Sequence, residues 1–169
     1  MTACKTQMRI ALVTALTFVS ALAFSQEPLI EPAPRTAAKS AVVFLYPEQV
    51  TLSANKPATI VLHFRVAPGL HINSHTPSEP ELIPATFAIS PAAGVRLMNA
   101  VYPPGTDFTL PLDPNTKLSV YSGEFTIQAR IVAAPGSHLV EATFRYQACD
   151  NNACMPPKTI TAAIDVIAK

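Results

Sequence analysis

The chain has no tryptophan, only five glycines and only three cysteines in 169 residues. So few glycines leave no phosphate-cradling loop, which argues against nucleotide binding, and neither a GxSxG elbow nor an HExxH helix is present. A surplus of one charge is missing too: 12 Lys and Arg stand against 11 Asp and Glu. This near-neutral balance argues against nucleic acid or an acidic surface as partner. After the first 25 residues there is no amphipathic helical pattern, no internal repeat, and no apolar run of the roughly 20 residues that a membrane span needs. Without a tryptophan or a cysteine on an early strand, the inter-sheet disulfide of antibody domains is excluded.

The amino terminus reads as a secretory signal. Lys5 and Arg9 form a positive start, Ile10 to Phe24 is largely apolar, and small residues follow, with cleavage expected after Ala23 or Ser25. Cys4 precedes the apolar run and is lost with it; an uncleaved anchor is the alternative. Removal of residues 1–25 leaves about 144 residues, with ten basic and eleven acidic side chains, enough for one domain with its own core. Residues 26–40 (QEPLIEPAPRTAAKS) are rich in proline and alanine and read as a flexible leader to a domain over 41–169. Export implies an oxidising, periplasmic or otherwise extracytoplasmic compartment, with no membrane span in the mature chain.

From there the hydrophobic pattern has period two. Ile60, Leu62, Phe64 and Val66 share one face of 58–66, and Phe125, Ile127, Ala129 and Ile131 share one face of 124–131. Val140, Ala142, Phe144 and Tyr146 alternate in 138–147, as do Ile160, Ala162, Ile164 and Val166 in 159–166; Val95, Leu97 and Val101 are a weaker case. Half-buried antiparallel strands produce this alternation. The 17 prolines and the Asn, Gly, Asp and Ser clusters between the runs act as breakers. About seven to nine short strands separated in this way predict an all-β, immunoglobulin-like antiparallel sandwich. Residues 102–117 (YPPGTDFTLPLDPNTK) break the alternation and read as a long loop, either a lid or a plain connection.

The richest segment is Tyr146-Gln147-Ala148-Cys149-Asp150-Asn151-Asn152-Ala153-Cys154-Met155-Pro156-Pro157. Three turn formers, Asp150, Asn151 and Asn152, lie between the cysteines. Cysteines flanking a tight turn can face each other on paired strands, roughly 4.5–5.5 Å apart at Cα, which a disulfide spans. Such a bond is either a staple or a working redox couple. A staple across so short a loop removes little unfolded-state entropy, whereas a local pair can open without unfolding a sandwich. Pro156 and Pro157 hold the following chain extended and deny it donors, which can leave the sulfur accessible.

The string Y-Q-A-C-x4-C-M-P-P resembles the cysteine motif of the amino-terminal periplasmic domain of DsbD, the thiol:disulfide interchange reductase. Gly69-Leu70-His71-Ile72-Asn73 is similar to a glycine-led strand of that family, and Val120-Tyr121-Ser122-Gly123-Glu124 to the strand after its cap loop; the resemblance covers about residues 40–167. It implies an immunoglobulin-like domain in which Cys149 and Cys154 are the catalytic couple, with Cys154 forming the mixed disulfide and no bound cofactor. The implied partners are periplasmic thioredoxin-fold thiol proteins. The full-length reductase continues into a membrane domain, so a chain ending at Lys169 is expected to have a separate membrane electron donor. The family's cap phenylalanine corresponds to Asp107-Phe108, and Tyr146 belongs to the site's surroundings. The family places tyrosines where His71 and Asn73 stand here. A protonated His71 beside the pair would stabilise a thiolate, while a solvated strand histidine is the plainer reading.

The residues leave two rival classes open. His71, His75, Cys149 and Cys154 make a nominal tetrahedral zinc set, and Met98 and Met155 point to copper, but strand alternation gives no reason for the two pairs to meet. A non-catalytic immunoglobulin-like interaction module braced by the disulfide is the other. Glu79 and Glu81, among prolines in SEPELIP, read as an exposed loop with no acid–base role.

Overall fold

The computed structural model describes residues 40–46, 49–90, 94–111 and 113–169. The expected signal at 1–25 and all of the leader except Ser40 lie outside them. Among the described residues the chain forms twelve strands and no helix: β1 (Val42–Tyr46), β2 (Gln49–Leu52), β3 (Ala58–Val66), β4 (His71–Asn73), β5 (Thr86–Ile89), β6 (Val95–Val101), β7 (Thr106–Leu110), β8 (Asp113–Tyr121), β9 (Glu124–Ala133), β10 (Gly136–Tyr146), β11 (Ala148–Cys149) and β12 (Lys158–Ala168).

Two four-stranded sheets, ordered β1-β3-β9-β6 and β2-β12-β10-β5, form the immunoglobulin-like sandwich, and a third, β11-β4-β8-β7, carries the cysteine motif. All pairings are antiparallel except β2 with β12. The alternating faces become the core: Leu62, Phe64, Ile127, Ile131, Val140, Phe144 and Ile164 are buried together. Phe64 meets Phe144 across the sheets at 4.5 Å between ring centroids and Phe125 within its own sheet at 5.3 Å. Aromatic pairs at this separation add about 0.5–1.5 kcal/mol each beyond the area they bury.

Strand β6 departs from simple alternation. A bulge between Leu97 and Asn99 shifts its register against β9, so Ala100 packs on the core while Val101 is exposed. An extra residue in one strand reverses the faces of all that follow.

The stretch 102–117 is not an irregular loop. Thr106–Leu110 pairs with β8 as an antiparallel hairpin, with Phe108 opposite Leu118. Pro103, Pro104, Pro111 and Pro114 stand at or beyond the ends of the run from Thr106 to Leu110, where a missing N–H does not break the ladder. The hairpin base is tied down. The Tyr121 hydroxyl donates to the Pro103 carbonyl (2.9 Å) and accepts from the His75 N–H (3.1 Å), while the Ser74 and Ser119 hydroxyls lie 2.8 Å apart. Gly105 sits against that serine pair. A Cβ there would overlap Ser119 Oγ and lie 2.9 Å from Ser74 Cβ, closer than non-bonded carbons approach.

Candidate functional site

The motif enters the site from β10, whose Phe144 and Tyr146 point into the core; Tyr146 Oη lies 3.1 Å from Ser40 Oγ. One residue, Gln147, turns the chain onto the third sheet, where Ala148 and Cys149 pair with Ile72 and His71 of β4. Gln147 holds this corner. Its Oε1 accepts from Asn73 Nδ2 (3.1 Å) and from the Ile83 N–H (3.4 Å), and its Nε2 donates to the Met155 carbonyl (3.3 Å). The Met155 N–H in turn donates to the Ala148 carbonyl at 2.8 Å, closing the hairpin behind the cysteines.

The turn between the cysteines is organised by Asp150. Its Oδ1 accepts from the N–H groups of Asn152 (2.7 Å) and Ala153 (2.8 Å), and its own N–H donates to the Ala153 carbonyl (3.0 Å). These backbone donors hold its carboxyl below the usual carboxylate range. Cys149 and Cys154 thereby become bridge partners and form a disulfide, with 3.9 Å between their Cα atoms. The two sulfur-bearing residues differ sharply in access: Cys149 is 2% exposed, while Cys154 lies at the surface.

His71 is directly opposite Cys149, so both side chains leave the same face of the sheet. Phe108 lies on that face too, with its ring 4.0 Å from that of His71. His71 is 3% exposed and is not a solvated strand histidine. Burial holds its imidazole below the ordinary range, and the charge of Asp150 only partly opposes this, so the ring is neutral near pH 7 rather than a standing cation. Its Nε2 has no hydrogen-bond partner. Beside the disulfide is a cleft of about 390 Å³, lined by His71, Leu82, Leu110, Leu118 and both cysteines, with Glu79, Glu81 and Asp150 among its walls. The two glutamates are exposed, as expected of that loop, but their place next to the cysteines has no signal in the sequence.

Of the four residues expected around the pair, the structure brings His71 and Phe108 to the cysteine face. Tyr146 packs in the core, and Asp107, on the opposite face of the hairpin from Phe108, pairs with Lys117 at 3.4 Å in solvent. His75 does not join the cysteines. Its ring stacks on Tyr102 (3.7 Å) and its Nδ1 bonds the Ala85 carbonyl (2.8 Å). Among the described residues no three His, Cys, Asp or Glu side chains are grouped to hold a metal. Met98 is exposed on β6 and Met155 packs against the core.

A β-sandwich that presents one sulfur of a local disulfide and buries the other has the geometry of a thiol-exchange domain. The profile of the family described as thiol:disulfide interchange protein DsbD, N-terminal, matches residues 41–165, and the chain belongs to that family. Among solved structures, the DsbD N-terminal domain of Neisseria meningitidis in its reduced form is similar at 18% identity, covering 66% of this chain and 79% of that one with a TM-score of 0.45. AggA, the major subunit of aggregative adherence fimbriae type I from Escherichia coli, is similar at 10% identity, over 76% of this chain and 93% of that one, with a TM-score of 0.31. No curated protein matches the chain in sequence. Family membership and the Cys149–Cys154 disulfide together support thiol:disulfide interchange with thiol-redox partners. No helix among the described residues is long and apolar enough to cross a membrane.

Proposed function

We propose that Cys149 and Cys154 are a redox couple that relays reducing equivalents to or from thioredoxin-fold proteins outside the cytoplasm. The observation that carries this reading is the asymmetry of the pair, one sulfur at the surface and one buried on a short hairpin. Exchange needs a thiolate that can reach a partner's disulfide in line, so Cys154 is the residue that attacks and is attacked, and Cys149 resolves the mixed disulfide. The cleft beside Cys154 receives the partner's chain next to its cysteine. Phe108 is the cap and His71 part of the floor beneath it; Tyr146 and Asp107 act at a distance, the first by anchoring the motif in the core and the second by fixing the cap hairpin through Lys117. The compartment is the periplasm or its equivalent, reached with the signal at 1–25 and followed by the leader at 26–40. The electron donor is a membrane protein.

The test is trapping. With Cys149→Ser, reduced Cys154 attacks a thioredoxin-fold partner whose single reactive cysteine is supplied as its thionitrobenzoate disulfide, expels thionitrobenzoate and accumulates as a mixed disulfide; with Cys154→Ser it does not. Equal trapping by both variants removes the division of labour. Peptide sequencing of the exported protein checks the cleavage position, and a start upstream of residue 20 contradicts it.

A further inference from the structure

We propose that His71 Nε2 accepts the proton of Cys149 when the dithiol form reacts, and returns it when the disulfide is reduced. This rests on the pair being a working couple.

Three observations converge. His71 and Cys149 are direct partners across the β4–β11 ladder and line the same cleft. Both are buried, at 3% and 2% exposure. Among the described residues, His71 Nε2 and Asn73 Oδ1 are the only buried side-chain polar atoms without a hydrogen-bond partner. A buried nitrogen of this kind is unfavourable in a purely structural role, where a hydrophobic side chain or a paired one serves better. The disulfide offers it no donor. Reduction does, because Cys149 Sγ then carries a proton on the face that His71 shares. The missing partner is therefore present only in the dithiol state.

The surroundings suit a neutral acceptor. Phe108 covers the ring, and Leu110 and Leu118 come from the cap hairpin. The charged groups facing the cleft are Asp150 from the cysteine turn and Glu79 and Glu81 from the β4–β5 connection; no Lys or Arg lines it. Desolvation keeps the imidazole unprotonated at neutral pH, and the Asp150 carboxylate favours the imidazolium once a proton arrives.

Cys154 thiolate attacks a partner disulfide, forms a mixed disulfide and expels one partner sulfur as thiolate. Cys149 then transfers its proton to His71 Nε2 and attacks Cys154 Sγ. The bond between Cys154 and the partner breaks, and the partner's second sulfur leaves as thiolate. Two electrons pass from the dithiol to the partner disulfide. One departing thiolate takes the proton held by His71 and the other takes one from solvent.

The test is stopped-flow oxidation of the reduced protein by oxidised glutathione across about pH 5 to 9, following glutathione release from Cys154, for the unaltered protein, His71→Gln and His71→Phe. Resolution is expected to slow about tenfold or more in both variants near neutral pH, with the gap closing at alkaline pH, where solvent removes the thiol proton. Superimposable pH profiles overturn the inference. Failure of the unaltered protein to oxidise at all removes the couple itself, and the inference with it. If the variants do not fold, ¹⁵N NMR of the unaltered protein decides. The His71 Nε2 resonance is expected to shift toward a hydrogen-bonded position on reduction, and an unchanged resonance overturns the inference.

Discussion

Reduction of the Cys149–Cys154 bond should weaken the fold only slightly. The cysteines are five positions apart, and a loop so short removes about 2 kcal/mol of unfolded-state entropy at 25 °C. Little else depends on the bond. The core is shared by the two large sheets, and β11 pairs only with the short strand β4. Gln147 and the Met155–Ala148 hydrogen bond hold the hairpin without the sulfur bridge. For a domain of this size, 2 kcal/mol corresponds to a fall in Tm of about 6–10 °C. Through the thermodynamic cycle it also makes the folded disulfide about 40 mV harder to reduce than the same bond in the unfolded chain. Urea titrations of the oxidised and the reduced protein measure the difference directly, and similar m-values would confirm that both start from a compact native state. Unfolding on reduction, or a loss above about 4 kcal/mol, would refute the reasoning, because the bond would then be a staple on which the fold depends.

Three further outcomes are expected. Gly105→Ala places a methyl group against Ser119 Oγ and Ser74 Cβ, so the hairpin base must shift, at a cost of about 1–3 kcal/mol; an unchanged Tm contradicts the packing. Phe108→Ala removes the ring over His71, costs about 1 kcal/mol and moves the His71 pKa up toward its ordinary value; an NMR titration that shows no movement contradicts its role as cover. The His71 pKa is depressed from 6.5, so the unfolded chain binds more protons below that pH; stability is full above about pH 6.5 and is lost as pH falls toward the folded pKa. His71→Phe should flatten that slope, as followed by urea midpoints at several pH values, and an unaltered slope shows that other groups cause it.

The large sheets were legible because each of their strands has a dry and a wet face. Ile60, Leu62, Phe64 and Val66 all occupy the buried positions that their period assigns. The β6 bulge was not legible, since Val95, Leu97 and Val101 keep the same parity in sequence whether or not an extra residue intervenes. The cap hairpin was hidden by its prolines and by its position at a sheet edge, where only Phe108, Leu110 and Leu118 need be apolar. The cysteines announced themselves through spacing and turn chemistry, and Gln147 lay inside the same motif without a cue to its three bonds. The burial of His71 is not legible, because β4 is only three residues long and buried throughout, so it has no alternation to read. Its role at the site depends on β11 folding back beside β4, a long-range pairing that no local pattern carries.

The most direct test of the central claim is the reduction potential of the Cys149–Cys154 pair, measured by equilibration in glutathione or dithiothreitol buffers. A working couple predicts a value between about −120 and −270 mV, the range of exchange proteins. A value below about −300 mV is that of a structural disulfide and contradicts the account.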